Sequence, residues 1–253
     1  MHNVYTKIIA GLHKYTKENG FERAVIGVSG GVDSALCLKL TVDALGAENV
    51  TALLMPEKGI STDENYLQSK TLCQFLKVEY YSVPINKFLT DYLALPWKPN
   101  ELAQINTKAR IRMCLLYNFA NTRNALVIGT SNKTELSIGY GTKHGDLGVD
   151  IDIIGDLLKE DVYALAEHVG LPQEFIDKTP SAELYSGQSD EEELGMTYKE
   201  IDNILKKVED GLNKDDMINK GFNPHSVHKV YRLIDINKHK LQPAPIIPIK
   251  VKS

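Results

Sequence analysis

Short apolar runs alternating with amphipathic stretches constrain the fold of this chain more than any other feature. Residues 24–28 (AVIGV), 50–55 (VTALLM), 78–83 (VEYYSV) and 125–129 (ALVIG) are β-like and rich in β-branched side chains. Between them lie amphipathic stretches at 34–45, 62–76 and 102–121. Strands alternating with helices of this length predict βαβ units and a parallel sheet. The fold class is therefore α/β, a Rossmann-like parallel sheet flanked by helices. Ligands of such sheets bind outside the carboxyl ends of the strands. Chemistry is expected just after Val28, Met55 and Gly129.

Beyond about residue 154 the pattern turns helical, with helices expected at 159–169, 198–209 and 224–237. Ser61-x-x-Glu64 and Thr197-x-x-Glu200 have the form of capping boxes, which satisfy orphan N–H groups at a helix start. Asn223 is placed to cap the last helix, and Pro224 suits its first position. Pro243, Pro245 and Pro248 predict an extended tail. No repeat, low-complexity segment or linker divides residues 1–253, which read as one domain. A content of 43% hydrophobic and 25% charged residues excludes a disordered or collagen-like chain. No stretch reaches the roughly 18–20 apolar residues of a membrane span. The first twenty residues are amphipathic rather than a signal peptide. A net charge of −4 argues against a dedicated nucleic-acid binder. Cys37, Cys73 and Cys114 are odd in number, far apart and without a CxxC pair. They read as core residues of a cytoplasmic protein, not as a disulfide framework or zinc site.

The most informative segment is Gly27-Val28-Ser29-Gly30-Gly31-Val32-Asp33-Ser34, between an expected strand and an expected helix. Gly30 and Gly31 permit unusual dihedrals and close backbone approach. N–H groups at the following helix start, aided by the helix dipole, suit an anion. The loop lacks the lysine of a Walker loop and the spacing of the dinucleotide G-x-G-x-x-G. Instead an aspartate stands where a phosphate is expected to dock. Repulsion makes Asp33 sensible there only with a divalent cation between them, and Mg²⁺ fits, since it takes few carboxylates plus phosphate oxygens. For an isolated GG-x-D, a plain turn with Asp33 as helix cap is the alternative. SGGVDS resembles the pyrophosphatase loop of ATP-dependent enzymes that adenylylate a substrate and release pyrophosphate. NAD synthetase, GMP synthetase, asparagine synthetase and several tRNA-modifying enzymes share it, so the loop specifies reaction type and little about substrate.

Substrate information lies in the segment from Thr130 to Asp150, TSNKTELSIGYGTKHGDLGVD. Glu135 offers a second carboxylate for Mg²⁺ and Lys143 a positive charge, although composition alone favours a polar surface loop. The block resembles the GT-x-x-x-x-E…TK-x-GD…D signature of NAD synthetase. Two further blocks agree: KTPSAEL at 178–184, and SDE at 189–191 leading to LGMTY at 194–198 and Ile201-Asp202. The resemblance runs from the N-terminal helix to His239-Lys240 and is closest to the short, ammonia-dependent form of the family. It implies an adenine nucleotide alpha hydrolase-like sheet.

Carried over by that resemblance, Gly27, Val28, Ser29, Gly30, Gly31, Val32, Asp33 and Ser34 would hold the ATP phosphates, with Asp33 and Glu135 on Mg²⁺. Thr130, Lys159 and Ser181 would contact ATP, and Asp33, Glu135 and Lys159 would form the catalytic set. A lysine in a helix's first turn opposes the macrodipole, which independently favours a phosphate partner over a solvated lysine beside Glu160 and Asp161. Arg110, Lys143, Asp150, His239 and Lys240 would contact deamido-NAD⁺; Arg110 otherwise reads as an ordinary helix-surface arginine. His239-Lys240 is followed by Leu241-Gln242-Pro243, where the family commonly continues with arginine and proline. The acidic run at 190–193 reads as a helix start or solvated patch, and His225-x-x-His228 as a helix-face pair. Met55 suits either adenine packing or the core.

The implied activity is ATP-dependent amidation of deamido-NAD⁺ by free ammonia, without a glutaminase domain, giving NAD⁺, AMP and pyrophosphate through an adenylate. A two-fold homodimer is implied as well, with no nucleic-acid or membrane partner. Two alternatives remain. Another pyrophosphatase-loop enzyme, such as a GMP synthetase ATPase subunit or a tRNA-modifying ligase, shares the loop but lacks the block from Glu135 to Asp150. A nucleotide-binding regulatory module has little need of two metal carboxylates.

Overall fold

The computed structural model describes residues 1–178 and 190–249. Five parallel strands, β1 (Arg23–Gly27), β2 (Val50–Leu54), β3 (Glu79–Ser82), β4 (Ala125–Gly129) and β5 (Ile151–Asp152), form one sheet in the order β3-β2-β1-β4-β5. The helices between and before them are α1 (His2–Glu18), α2 (Val32–Leu45), α3 (Asp63–Phe75), α4 (Asn86–Leu93), α5 (Glu101–Arg123) and α6 (Lys133–Ile138). After β5 come α7 (Lys159–His168), α8 (Gln173–Ile176), α9 (Asp190–Leu194), α10 (Tyr198–Glu209), α11 (Lys214–Asn219) and α12 (Pro224–Asn237).

Strand side chains alternate between the two faces, and burial follows. Ala24, Ile26, Ala52, Leu54 and Ile128 pack with Leu36, Leu40, Val162 and Leu165 of α2 and α7. Val25, Leu53 and Val127 pack on the other face with Ile111, Leu116 and Ala120 of α5. A separate apolar cluster ties Ile138 of α6 and Leu158 to Ile201, Leu205, Met217 and Val227 of the C-terminal helices. The order of the sheet runs outward from β1 in both directions, so β1 and β4 are neighbours whose connections leave toward opposite edges. That is the switch point at which α/β sheets open a ligand crevice.

The α/β class, its four longer strands and the helical C-terminal part agree with the expectation. Four details differ. β5 is two residues long and extends the sheet beyond β4 through Ile128↔Ile151. The polar segment after β4 contains α6, whose Asn132 and Glu135 form a reciprocal capping box. At α3 the cap is Thr62, which accepts the Asn65 N–H at 3.2 Å. The Ser61 hydroxyl instead accepts the Glu57 N–H, so Ser61-x-x-Glu64 is not the box. Cys37 and Cys73 are buried as expected, but Cys114 lies on the exposed side of α5.

Candidate active site

The phosphate loop leaves β1 at Gly27 and enters α2 at Val32. Gly30 has φ +91°, and a Cβ there would lie 2.8 Å from the Asn65 carbonyl oxygen, so only glycine lets the loop pack against α3. The loop holds itself in shape: Ser34 Oγ accepts the Ser29 N–H and donates to the Gly31 carbonyl, while Ser29 Oγ accepts the Gly31 N–H. Gly31 is the N-cap of α2 and brings no side-chain acceptor to its first turn. A helix start of this kind is an anion site.

The loop forms one wall of a cleft of about 750 Å³ at the carboxyl ends of β1, β2 and β4. Gly27, Val28, Ser29, Gly31, Val32, Asp33 and Ser34 line it, joined by Met55 after β2 and Thr130 after β4. Met55 is also a core residue of the α5 face, as the second of its two readings expects.

At the centre, Asp33 and Glu135 share one ammonium. Lys159 Nζ lies 2.5 Å from Asp33 Oδ2 and 3.7 Å from Glu135 Oε1, with its side chain 2% exposed. Asn132 ties the two carboxylates together, donating Nδ2 to Asp33 Oδ1 and its N–H to Glu135 Oε2. Burial and the neighbouring Asp33 push the Glu135 carboxyl up to about 8. Burial pulls the Lys159 pKa down, but Asp33 and Glu135 outweigh it and hold the group well above the ordinary lysine value. The Tyr198 ring faces the same ammonium at 4.8 Å, a cation–π contact. Repulsion between the two buried carboxylates is what a divalent cation between them would relieve. Among the described residues no group of three or more His, Cys, Asp or Glu is arranged to hold a metal alone. Mg²⁺ needs no such cage, since it is commonly bound by one or two carboxylates plus phosphate oxygens. Asp33 and Glu135 fit that role.

The rim carries cations. Arg110 on α5 donates to the Lys143 carbonyl at 3.3 Å, and Lys143 Nζ donates to the His239 carbonyl at 2.7 Å. Lys240 Nζ donates to the carbonyls of Gly139 and Gly141. All four residues line the cleft. Asp150 does not: it precedes β5, and its carboxylate accepts the Tyr117 hydroxyl and the Val127 N–H. Ser181 lies outside the described residues.

Several cleft residues were not anticipated as such. Asp190 is 5% exposed, not a solvated acid; it accepts the hydroxyls of Tyr140 and Tyr198 at 3.1 Å. Lys178 Nζ donates to the Gly30 carbonyl and to Gln68 Oε1, tying the phosphate loop to α3. Nothing in the local pattern around Asp190 separates it from the acidic residues that follow it. His225 and His228 are solvent-exposed on α12, as expected of a helix-face pair.

Residues 4–244 match the family model described as NAD synthase. The chain belongs to the NAD synthase family. Its match to that family spans both the phosphate loop and the rim at His239 and Lys240. The "NH(3)-dependent NAD(+) synthetase" of Methanocaldococcus jannaschii is 41% identical over 254 residues, covering 98% of each protein. Two solved structures are similar over 98% of both chains. One is an NH3-dependent NAD synthetase from Campylobacter jejuni, 32% identical with a TM-score of 0.83. The other is an NMN synthetase from Francisella tularensis, 30% identical with a TM-score of 0.85.

Proposed function

We propose that this NAD synthase family member amidates deamido-NAD⁺ with free ammonia and ATP, yielding NAD⁺, AMP and pyrophosphate. The observation that carries the reading is the convergence of Asp33, Glu135 and Lys159 beside the phosphate loop. ATP lies with its phosphates against the loop and its α-phosphorus toward the nicotinate carboxylate. A carboxylate oxygen attacks phosphorus, the bond to the bridging oxygen breaks, and pyrophosphate departs. Ammonia then attacks the activated acyl carbon and AMP leaves, with one proton lost from nitrogen. The chain's groups position reactants and stabilise developing charge, and no covalent nucleophile is required. Lys159 faces negative charge building on the phosphates, as do the N–H groups at the α2 start. Asp33 and Glu135 would hold Mg²⁺, which supplies charge neutralisation on the leaving pyrophosphate. Arg110, Lys143 and Lys240 meet the anionic dinucleotide at the rim, with His239 beside them, and Thr130 and Ser181 belong to the ATP site. A role for Asp150 toward the dinucleotide is best reconciled with its position if a second protomer completes the site, in keeping with a two-fold homodimer.

The Francisella relative supports a second reading, in which the substrate is the mononucleotide acid and the product NMN. The decisive assay offers the purified protein ATP, Mg²⁺ and ammonium with deamido-NAD⁺, nicotinate mononucleotide or XMP, and follows AMP and each amide by chromatography. Preferential conversion of deamido-NAD⁺ supports the main reading, and preferential conversion of the mononucleotide replaces it. Absence of AMP with either nicotinate refutes both. A monomeric mass by light scattering, at concentrations giving full activity, would refute the homodimer.

A further inference from the structure

Helix α7 begins at Lys159 with Leu158 as its N-cap, so no local side chain caps it. Two of the N–H groups that such a start leaves open find acceptors on distant segments. Thr134 Oγ1 on α6 accepts the Lys159 N–H at 2.9 Å, and Asp202 Oδ2 on α10 accepts the Glu160 N–H at 3.0 Å. The Thr134 hydroxyl donates in turn to Asp202 Oδ1 at 2.5 Å. Thr134 and Asp202 are both 0% exposed. Thr134 also immediately precedes Glu135, so one hydroxyl registers the segment carrying Glu135 against the segment carrying Lys159.

Tyr198 stands four residues before Asp202 on α10, a spacing that puts both on one helix face. Asp202 acts at the backbone start of α7 and Tyr198 at the Lys159 ammonium, so α10 grips this lysine at both ends. Cohesion between α10 and its surroundings does not require the carboxylate. Ile201, Ile204 and Leu205 already bury the helix in the C-terminal apolar cluster, whereas a buried acid carries a desolvation cost. What distinguishes it is that one oxygen accepts the Glu160 N–H at the α7 start and the other the Thr134 hydroxyl that caps Lys159.

We propose that Asp202, acting through Thr134 and the first turn of α7, is a positioning residue that sets the Lys159 ammonium between Asp33 and Glu135. The proposal deepens the functional reading above, in which Lys159 acts on ATP. A long, four-torsion side chain gains its geometry from where its backbone starts, and displacing a catalytic group by ~1 Å costs about 10²-fold in rate.

The test compares Asp202→Asn, Thr134→Val and Thr134→Ser with the unaltered protein, after circular dichroism has established folding. Two readouts are taken: kcat and KM for the nicotinate substrate, and acetic anhydride labelling of Lys159 by mass spectrometry, which needs no turnover. Asp202→Asn and Thr134→Val are expected to lower kcat by roughly 10–100-fold, with KM at the rim changed less than about threefold. Lys159 labelling should rise by about tenfold as the α7 start opens. Thr134→Ser keeps the hydroxyl and is expected to retain kcat within about threefold. Native kcat in folded Asp202→Asn, unchanged Lys159 labelling, or loss in Thr134→Ser equal to that in Thr134→Val overturns the proposal. If Asp202→Asn does not fold, the two Thr134 variants decide. A parent protein that makes no AMP refutes the activity reading alone, because labelling still reports on positioning.

Discussion

Replacing Asp152 with asparagine is expected to stabilise the protein, and to do so only above the acidic range. Asp152 ends β5 with Oδ1 lying against the Gly129 backbone, buried and without a hydrogen-bond partner. Burial pushes its carboxyl up from 3.8 to about 6; the Ser131 N–H tempers the rise and Asp146 adds to it. Between those values the folded state binds more protons than the unfolded one, so stability falls as pH climbs through about 4 to 6. Below the unfolded value both states are protonated and the full stability is present. The gap corresponds to about 3 kcal/mol at neutral pH, and screening of a partly exposed group reduces it to about 1–2 kcal/mol. The amide introduced by Asp152→Asn is neutral throughout and removes this term. Urea unfolding of both proteins from pH 4 to 8 reads the difference directly, provided the m-values agree. The variant should match the parent near pH 4 and exceed it by about 1–2 kcal/mol at pH 7.5. A difference that stays constant with pH, or a less stable variant at pH 7.5, refutes the reasoning.

The phosphate loop and rim yield further expectations. Asp33→Ala should lower turnover by at least about 10³-fold while circular dichroism reports an intact fold, since it removes a proposed metal carboxylate and the closest partner of Lys159; unchanged turnover removes Asp33 from the mechanism. Gly30→Ala sets a Cβ 2.8 Å from the Asn65 oxygen at φ +91°, and is expected to cost about 1–3 kcal/mol in thermal unfolding and to raise KM for ATP. Native stability in that variant contradicts the close approach. Lys143→Ala should raise KM for the nicotinate dinucleotide by roughly tenfold with KM for ATP changed less than about twofold, and the parent kcat/KM for the dinucleotide should fall as salt rises; a salt-independent value argues against electrostatic capture at the rim.

The four longer strands were legible because β-branched runs, bounded by turns, lie between helices long enough to cross back over a sheet. β5 was not, since two residues carry no periodicity and pair only because β4 offers an open edge at Ile128 and Gly129. α6 hid inside a polar block for a similar reason: six residues make less than two turns, and its start is set by Asn132 and Glu135, which also hold the site. Asp33, Glu135 and Lys159 were accessible through the family resemblance, with Lys159 also marked by its unfavourable place at a helix start. Asp190, Tyr198 and Asp202 lie in blocks that match the family, but their roles escaped because their partners are distant; Asp202 meets Thr134 across 68 residues. Nothing local separates a buried acid from a solvated one on an amphipathic helix. Asp150 shows the converse: a position taken from a motif does not fix where its carboxylate points, and the Val127 N–H and Tyr117 hydroxyl claim it here.

The cations of the cleft fall into two groups with different work to do. Lys159 is buried and neutralised by carboxylates, so it contributes little long-range field and its value lies in fixed geometry. Arg110, Lys143 and Lys240 donate to neutral backbone carbonyls, which orient them without cancelling their charge. Burial lowers the Lys240 pKa, with Asp146 opposing it in part. A chain with a net charge of −4 can therefore receive polyanionic nucleotides, because Arg110, Lys143 and Lys240 line the cleft while Asp33 and Glu135 are gathered around one lysine. Under the proposed chemistry, Asp33 and Glu135 would hold a divalent ion together with the phosphates, whereas the rim would hold the dinucleotide without such an ion.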